Sequence, residues 1–235
     1  MSYDIDYTCK IILVGDSKVG KTTFFNLLQN NKNFQTISTI GVDYTTLRYN
    51  VTGKQIKIIV WDTAGQDRFN TIIRSYFRNI CGVILMYDLT NMATLQSLEK
   101  WLTMINYENK CRHHHPLLLI GNKKDKMDSN YKRGDLKAGA FDLSKITDSA
   151  ENLMYLEMSC MNSDNVFDLD DMFSNFIKII INNVELDNCT GIKSTKNIDN
   201  NSIAHNEVVI TNKKHGNNNK DNHTFTKNIR CCKIS

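Results

Sequence analysis

The stretch Gly15-Asp16-Ser17-Lys18-Val19-Gly20-Lys21-Thr22 constrains this chain more than any other. It fits G-x-x-x-x-G-K-[ST], follows the apolar run Ile11-Ile12-Leu13-Val14 and leads into Thr23-Phe24-Phe25-Asn26-Leu27-Leu28. A buried strand, a tight loop and a helix are therefore expected in that order. Glycine permits backbone angles that a β-carbon blocks, so successive N–H groups can turn inward toward phosphate oxygens. The N-terminus of the following helix adds positive partial charge at the same place. Lys21 is expected to reach the β- and γ-phosphates, and the Thr22 hydroxyl to ligate Mg2+, a hard cation that prefers oxygen. Gly15 through Thr22, together with Thr23, are the candidate phosphate-binding residues.

The rest of the chain alternates strand-like and helix-like segments. Val42-Asp43-Tyr44-Thr45-Thr46-Leu47-Arg48-Tyr49-Asn50-Val51 is β-branched and aromatic, Thr52-Gly53-Lys54 reads as a turn, and Gln55-Ile56-Lys57-Ile58-Ile59-Val60-Trp61 returns. An antiparallel hairpin is expected there. Cys81-Gly82-Val83-Ile84-Leu85-Met86-Tyr87 and Leu117-Leu118-Leu119-Ile120-Gly121 are continuously apolar, as strands covered on both faces are. Between them Leu95, Leu98, Trp101, Leu102 and Ile105 recur at helical spacing. Met154 to Met158 is a weaker last strand, and Val166, Leu169, Met172, Phe173, Phe176, Ile177 and Ile180 draw one face of a closing helix with Asp164 or Asn165 as its N-cap. The pattern predicts an α/β fold: a six-stranded, mostly parallel sheet with one antiparallel edge strand and helices on both faces.

Composition divides the chain into a body, residues 1–184, and a tail, residues 185–235. From position 190 onward there are eight basic and three acidic residues, a charge of +5, which against the chain's +4 leaves −1 for residues 1–189. The body is thus no nucleic-acid binder by charge. The tail is polar and rich in asparagine, too poor in apolar residues to offset its ordering entropy, and is expected to be disordered apart from a short docking strand available within 203–210. Seven cysteines without metal-ligand spacing suit a reducing compartment. Neither a signal peptide nor a membrane-spanning run is expected. The adjacent His113, His114 and His115 read as a solvated loop.

In open α/β sheets ligands sit at the carboxyl ends of the strands, and the residues expected there match the phosphate loop. Asp62-Thr63-Ala64-Gly65-Gln66 offers a carboxylate for Mg2+ and, at Gly65, an N–H for a γ-phosphate. Asn122-Lys123-Lys124-Asp125 offers a carboxylate that can accept from N1–H and the N2 amine of guanine, whereas adenine presents an acceptor at N1 and no amine. Ser159-Cys160-Met161 follows the last strand.

With these motifs the chain resembles the Rab family of Ras-superfamily small GTPases. Ile40-Gly41-Val42-Asp43-Tyr44, KIIVWDTAGQD (57–67), RFNTIIRSYFRNI (68–80), GVILMYD (82–88) and LQSLEKWL (95–102) carry the likeness, which spans about residues 7–183. The resemblance implies GTP and GDP as ligands with Mg2+, hydrolysis of GTP that is slow without an activating partner, and a GDP/GTP switch regulating vesicle traffic. It implies that Thr39 joins Thr22 and Asp62 on the metal and that Gln66 orients the attacking water. Asn122, Lys123, Asp125, Ser159 and Cys160 would bind guanine. Ile40, Gly41, Tyr44, Trp61 and Tyr76 would form the effector surface, with Tyr44, Trp61 and Tyr76 as its aromatic triad. Implied partners are an exchange factor, a GTPase-activating protein, a prenyl transferase with its escort, a GDP-dissociation inhibitor and effectors; the chain would be a monomer with no nucleic-acid partner. Cys231 and Cys232, after the basic tail, would carry prenyl groups that hold the protein on the cytoplasmic face of a membrane, with a cytosolic pool. Cys-Lys-Ile-Ser also parses as a single prenylation box.

Departures from the family pattern are specific. Lys18 stands where a small residue is usual, Tyr44 where phenylalanine is, Asp67 where glutamate is, and Cys160-Met161 replace Ala-Lys after Ser159. The loop before Thr39 is one residue short, which weakens Phe34 as a partner for the base, and residues 128–134 are extra loop. Lys18 and Met161 motivate an alternative, a GTP-locked module that recruits effectors but scarcely hydrolyses.

Overall fold

A computed structural model describes residues 5–29, 39, 41–65, 73–109, 115–128, 152–161, 166–187 and 207–209. The strands are β1 (Tyr7–Val14), β2 (Val42–Val51), β3 (Lys54–Thr63), β4 (Gly82–Asp88), β5 (Leu117–Asn122), β6 (Leu153–Glu157) and β7 (Glu207–Val209). The helices are α1 (Lys21–Leu28), α2 (Met92–Gln96), α3 (Leu98–Glu108) and α4 (Val166–Asp187), with 3-10 turns at Ser75–Phe77 and Lys124–Lys126.

The strands lie in the order β6-β5-β4-β1-β3-β2-β7, and only the β2–β3 pair is antiparallel. The six body strands are the six expected from the apolar runs. The seventh, β7, falls inside the 203–210 stretch and pairs parallel to β2, Thr46 opposite Glu207 and Arg48 opposite Val209. Alternation along each strand feeds both faces of the sheet. In β1, Ile11 and Leu13 enter one hydrophobic cluster with Phe24 of α1 and Phe173, Phe176 and Ile180 of α4. Ile12 and Val14 enter the other, with Phe77, Leu95, Leu98 and Trp101. This burial on both faces is why the strands read as unbroken apolar runs.

Several boundaries differ from expectation. The β2–β3 connection is a two-residue turn, because Lys54 pairs with Val51 inside the ladder; Thr52 (φ 51°) and Gly53 (φ 83°) both adopt positive φ, the hairpin turn whose twist matches its strands. Strand β3 continues through Thr63, since Leu13 pairs with Asp62 on one side and Val42 with Thr63 on the other. Asp62 therefore sits in the ladder rather than after it, and Asn122 likewise ends β5. The helical stripe from Leu95 to Ile105 is buried as expected, but the helix breaks at Ser97, whose hydroxyl donates to the Thr94 carbonyl (3.0 Å). Helix α4 runs to Asp187, three residues past the body boundary placed at 184.

Candidate functional site

The loop after β1 opens at Gly15, where φ is 147° and a β-carbon would lie 2.1 Å from the Met86 carbonyl oxygen of β4. No other residue fits between these two strands. Gly20 ends the loop with φ 105° as the cap of α1. From the first turn of α1, Lys21 folds back over the loop and its Nζ donates to the Gly15 and Asp16 carbonyls, both at 2.8 Å. The ammonium is almost wholly buried, and burial pushes its pKa down to about 8 against the partial support of Asp62 and Asp16. Val19 points into the core, so only its main chain faces the loop.

Thr22, Thr39 and Asp62 converge beside this loop. The Thr22 hydroxyl donates to Asp62 Oδ2 at 2.7 Å and lies 2.7 Å from the Thr39 hydroxyl, which itself approaches Asp62 Oδ2 at 3.2 Å. Asp62 is 1% exposed and its other oxygen, Oδ1, is buried without a hydrogen-bond partner. Burial pushes the Asp62 carboxyl above the usual range, partly offset by the two hydroxyls and Lys21. A buried carboxylate oxygen left unpaired is costly, and a hard dication satisfies it. The oxygen-only donor set thus fits Mg2+. Gly65 follows closely: a β-carbon there would fall 2.4 Å from the Asp16 carbonyl carbon and from Lys21 Nζ.

The opposite end of the site is built on β5 and β6. Asn122 Nδ2 donates to the Val19 carbonyl (2.8 Å) and its Oδ1 accepts from Cys160 N–H (3.0 Å), so one amide ties the phosphate loop to the loop after β6. Lys123 adopts φ 66° and pairs with Asp88 at 2.6 Å. The Ser159 hydroxyl donates to Asp125 Oδ1 (2.5 Å) and accepts from Met161 N–H (3.2 Å). That leaves Asp125 Oδ2 and the second lone pair of Oδ1 for a ligand. The Cys160 thiol is buried, and burial pushes its pKa up. Met161 is exposed. Together these loops enclose a cleft of about 660 Å³ whose walls include Ser17, Lys18, Lys21, Thr22, Thr39, Gly65, Asn122, Lys123, Asp125 and Cys160. Its phosphate-loop end is cationic and its far end carries the carboxylate.

The aromatic trio also assembles. Tyr44 and Trp61 face each other across β2 and β3 with ring centroids 4.9 Å apart, and Tyr76 lies 5.2 Å from Trp61. Tyr44 is exposed while Trp61 is half-buried against the cluster under α3, so Trp61 both packs and presents a surface. Ile40, Gln66, Phe34, Asp67, Asp164, Asn165, His113, His114, Cys231 and Cys232 lie outside the described residues. Among the described residues no group of three or more His, Cys, Asp or Glu could hold a metal ion, and no helix is long and apolar enough to cross a membrane. Two contributors were not singled out from the sequence, Asp88 as the partner of Lys123 and Trp101 as a donor to Asp16. Asp88 ends β4, at the carboxyl end of the sheet where residues that support a ligand site are expected. Trp101 carried no such signal.

Residues 10–182 match the family model described as Ras family. The chain belongs to that family. Within it the similarity is to Rab proteins. The chain is 37% identical to Ras-related protein Rab-11A of Dictyostelium discoideum, over 69% of this chain and 72% of that one. It is 32% identical to Ras-related protein RABA5b of Arabidopsis thaliana over 86% and 89%, and 35% identical to Ras-related protein Rab-8B of Bos taurus over 67% and 77%. This Rab-like small GTPase is a regulator of membrane traffic.

Proposed function

We propose that this Rab-like GTPase binds GDP and GTP in the cleft, with phosphates at residues 15–23 and Gly65 and with guanine at Asn122, Lys123, Asp125, Ser159 and Cys160. One observation carries the reading: the Thr22 and Thr39 hydroxyls meet at Asp62 Oδ2, while Oδ1 of the same buried carboxylate has no partner. Thr22, Thr39 and Asp62 would hold Mg2+, which when bound neutralises charge on the phosphates. Lys21 would exchange its two carbonyl partners for phosphate oxygens, recovering in charge-assisted bonds what burial costs it. Gln66 would orient the attacking water, and the reaction is slow until an activating protein completes the site. Thr39 and Gly65 would lose their reason to stay in place when the γ-phosphate leaves, which changes the surface around Tyr44, Trp61 and Tyr76 that effectors read.

Single-turnover hydrolysis tests this. The chain with Mg2+ is expected to cleave GTP faster than GTP decays in buffer, and Gln66→Leu to slow it at least about tenfold, the scale of one water-positioning group. A wild-type rate no higher than that of free GTP overturns the reading. Two prenyl groups on Cys231 and Cys232, beside tail lysines attracted to anionic lipid, would anchor the protein stably where one chain is marginal. Mass spectrometry after expression in a prenylating cell is expected to show both modified; an unmodified C-terminus refutes anchoring. The exchange factor, activating protein, escort, GDP-dissociation inhibitor and effectors belong to the same reading.

A further inference from the structure

The phosphate loop contains one acid, Asp16. A carboxylate beside a bound polyanion opposes binding, strongly so in a partly buried site where the effective dielectric is low. Its neighbours Ser17 and Lys18 form part of the cleft wall, but Asp16 does not. Its side chain turns the other way, and Oδ1 accepts a hydrogen bond at 3.0 Å from Nε1 of Trp101, 85 positions later in the chain. Trp101 is 0% exposed on α3, packed with Leu98, Leu102 and Phe77. An indole nitrogen can only donate, and a fully buried one needs an acceptor. A carboxylate acceptor makes that bond charge-assisted and correspondingly strong.

Asp16 is also fixed through its main chain. Its carbonyl accepts from Lys21 Nζ at 2.8 Å, and a β-carbon on Gly65 would lie 2.4 Å from its carbonyl carbon and 2.5 Å from its carbonyl oxygen. One loop residue therefore meets α3 by its side chain, the phosphate-binding lysine by its oxygen, and the start of the segment that carries Gln66 by direct contact.

We propose that Trp101 is a positioning residue for nucleotide retention: its indole N–H holds the Asp16 carboxylate toward α3 and away from the phosphates. Without that donor the carboxylate is free to turn to the cleft, where it repels GDP and competes for Lys21. The inference rests on the cleft's being a guanine-nucleotide site.

The test is release of fluorescent GDP from the full-length, Mg2+-loaded protein on adding excess unlabelled GDP. Trp101→Phe, which keeps most of the ring packing and removes the donor, is expected to speed release about tenfold, the loss of one hydrogen bond to a charged group. On an Asp16→Ala background, adding Trp101→Phe is expected to change the rate less than about twofold, because no carboxylate remains to be misdirected. A Trp101→Phe rate equal to wild type overturns the proposal, and so does an acceleration that persists undiminished beside Asp16→Ala, since packing alone would then explain it. Should Trp101→Phe fail to fold, the indole proton signals of the two tryptophans, Trp61 and Trp101, decide the matter without nucleotide. Asp16→Ala must move the Trp101 signal upfield, and an unmoved signal overturns the contact. A wild-type chain that holds no GDP speaks against the nucleotide reading instead, and the indole measurement still tests the clamp.

Discussion

Lys21→Met is expected to lower affinity for GDP about a thousandfold and yet leave the nucleotide-free protein more stable at pH 7. The binding loss follows from removing a cation that would give charge-assisted bonds to phosphate in a cleft with little water, each worth about 1.5–3 kcal/mol. The stability gain follows from burial. Without nucleotide, Lys21 has two carbonyl partners and a pKa lowered from 10.5 to about 8. The unfolded chain therefore holds this proton more tightly than the folded chain does. Keeping it bound below pH 8 costs the native state about 3 kcal/mol relative to a group with no shift, at 1.36 kcal/mol per pKa unit. As pH rises from 8 toward 10.5 the folded protein sheds the proton first, and stability climbs. Denaturant unfolding of nucleotide-free protein at pH 7 and pH 9.5 should show that rise in the wild type and its absence in Lys21→Met, with the variant ahead by at least about 1 kcal/mol at pH 7 after its lost hydrogen bonds are counted. A variant less stable than wild type at pH 7 would contradict this account of the lysine.

Asp125→Asn should reduce GDP affinity about a thousandfold and transfer preference to the xanthine nucleotide. Guanine presents two adjacent donors, and a carboxylate accepts both; an asparagine amide sets a donor against one of them. Rejection by a mismatched buried polar edge reaches several kcal/mol. Xanthine carries a carbonyl where guanine has its amine, which restores the match. The fold should be indifferent to the change. Asp125 is exposed, and its partner among the described residues, the Ser159 hydroxyl, can donate to an amide oxygen or accept from an amide nitrogen. Titration with fluorescent GDP and XDP, alongside thermal unfolding of nucleotide-free protein, separates the two effects. Equal loss for both nucleotides would mean that Asp125 acts through the shape of its loop.

Most of the architecture could be read from apolar runs because the sheet is buried on both sides. Strands such as β4 and β5 have no polar alternation to confuse with a helix, and Leu95 through Ile105 keeps its period across the break at Ser97. The ends of strands were harder. Asp62 and Asn122 look like loop residues by type, and they sit in the ladder because their neighbours on β1, β2 and β4 hold them there. At the site, residues with a fixed chemical signature were legible: the glycine-lysine-threonine loop, the Asp62 carboxylate, Asp125. Contacts that join distant segments were not. Spacing showed that Trp101 belongs on an apolar helix face, and it does; only the fold shows that its one polar atom reaches Asp16. The Asn122 bridge between Val19 and Cys160 is of the same kind.

The place of β1 has a consequence for how such a protein lets go of its ligand. This strand lies inside the sheet with parallel neighbours on both flanks, and the phosphate loop hangs from it. Amides of β1 should be among the last to exchange with solvent, because opening them requires parting β3 from β4. Thr39 precedes β2 and Gly65 follows β3, on the flank that ends in β7, whereas Asp125 and Ser159 follow β5 and β6 on the other. Either flank is expected to exchange faster than the middle. Release of a nucleotide is accordingly expected to leave the β1 amides as protected from exchange as before, which hydrogen exchange on loaded and emptied protein would check.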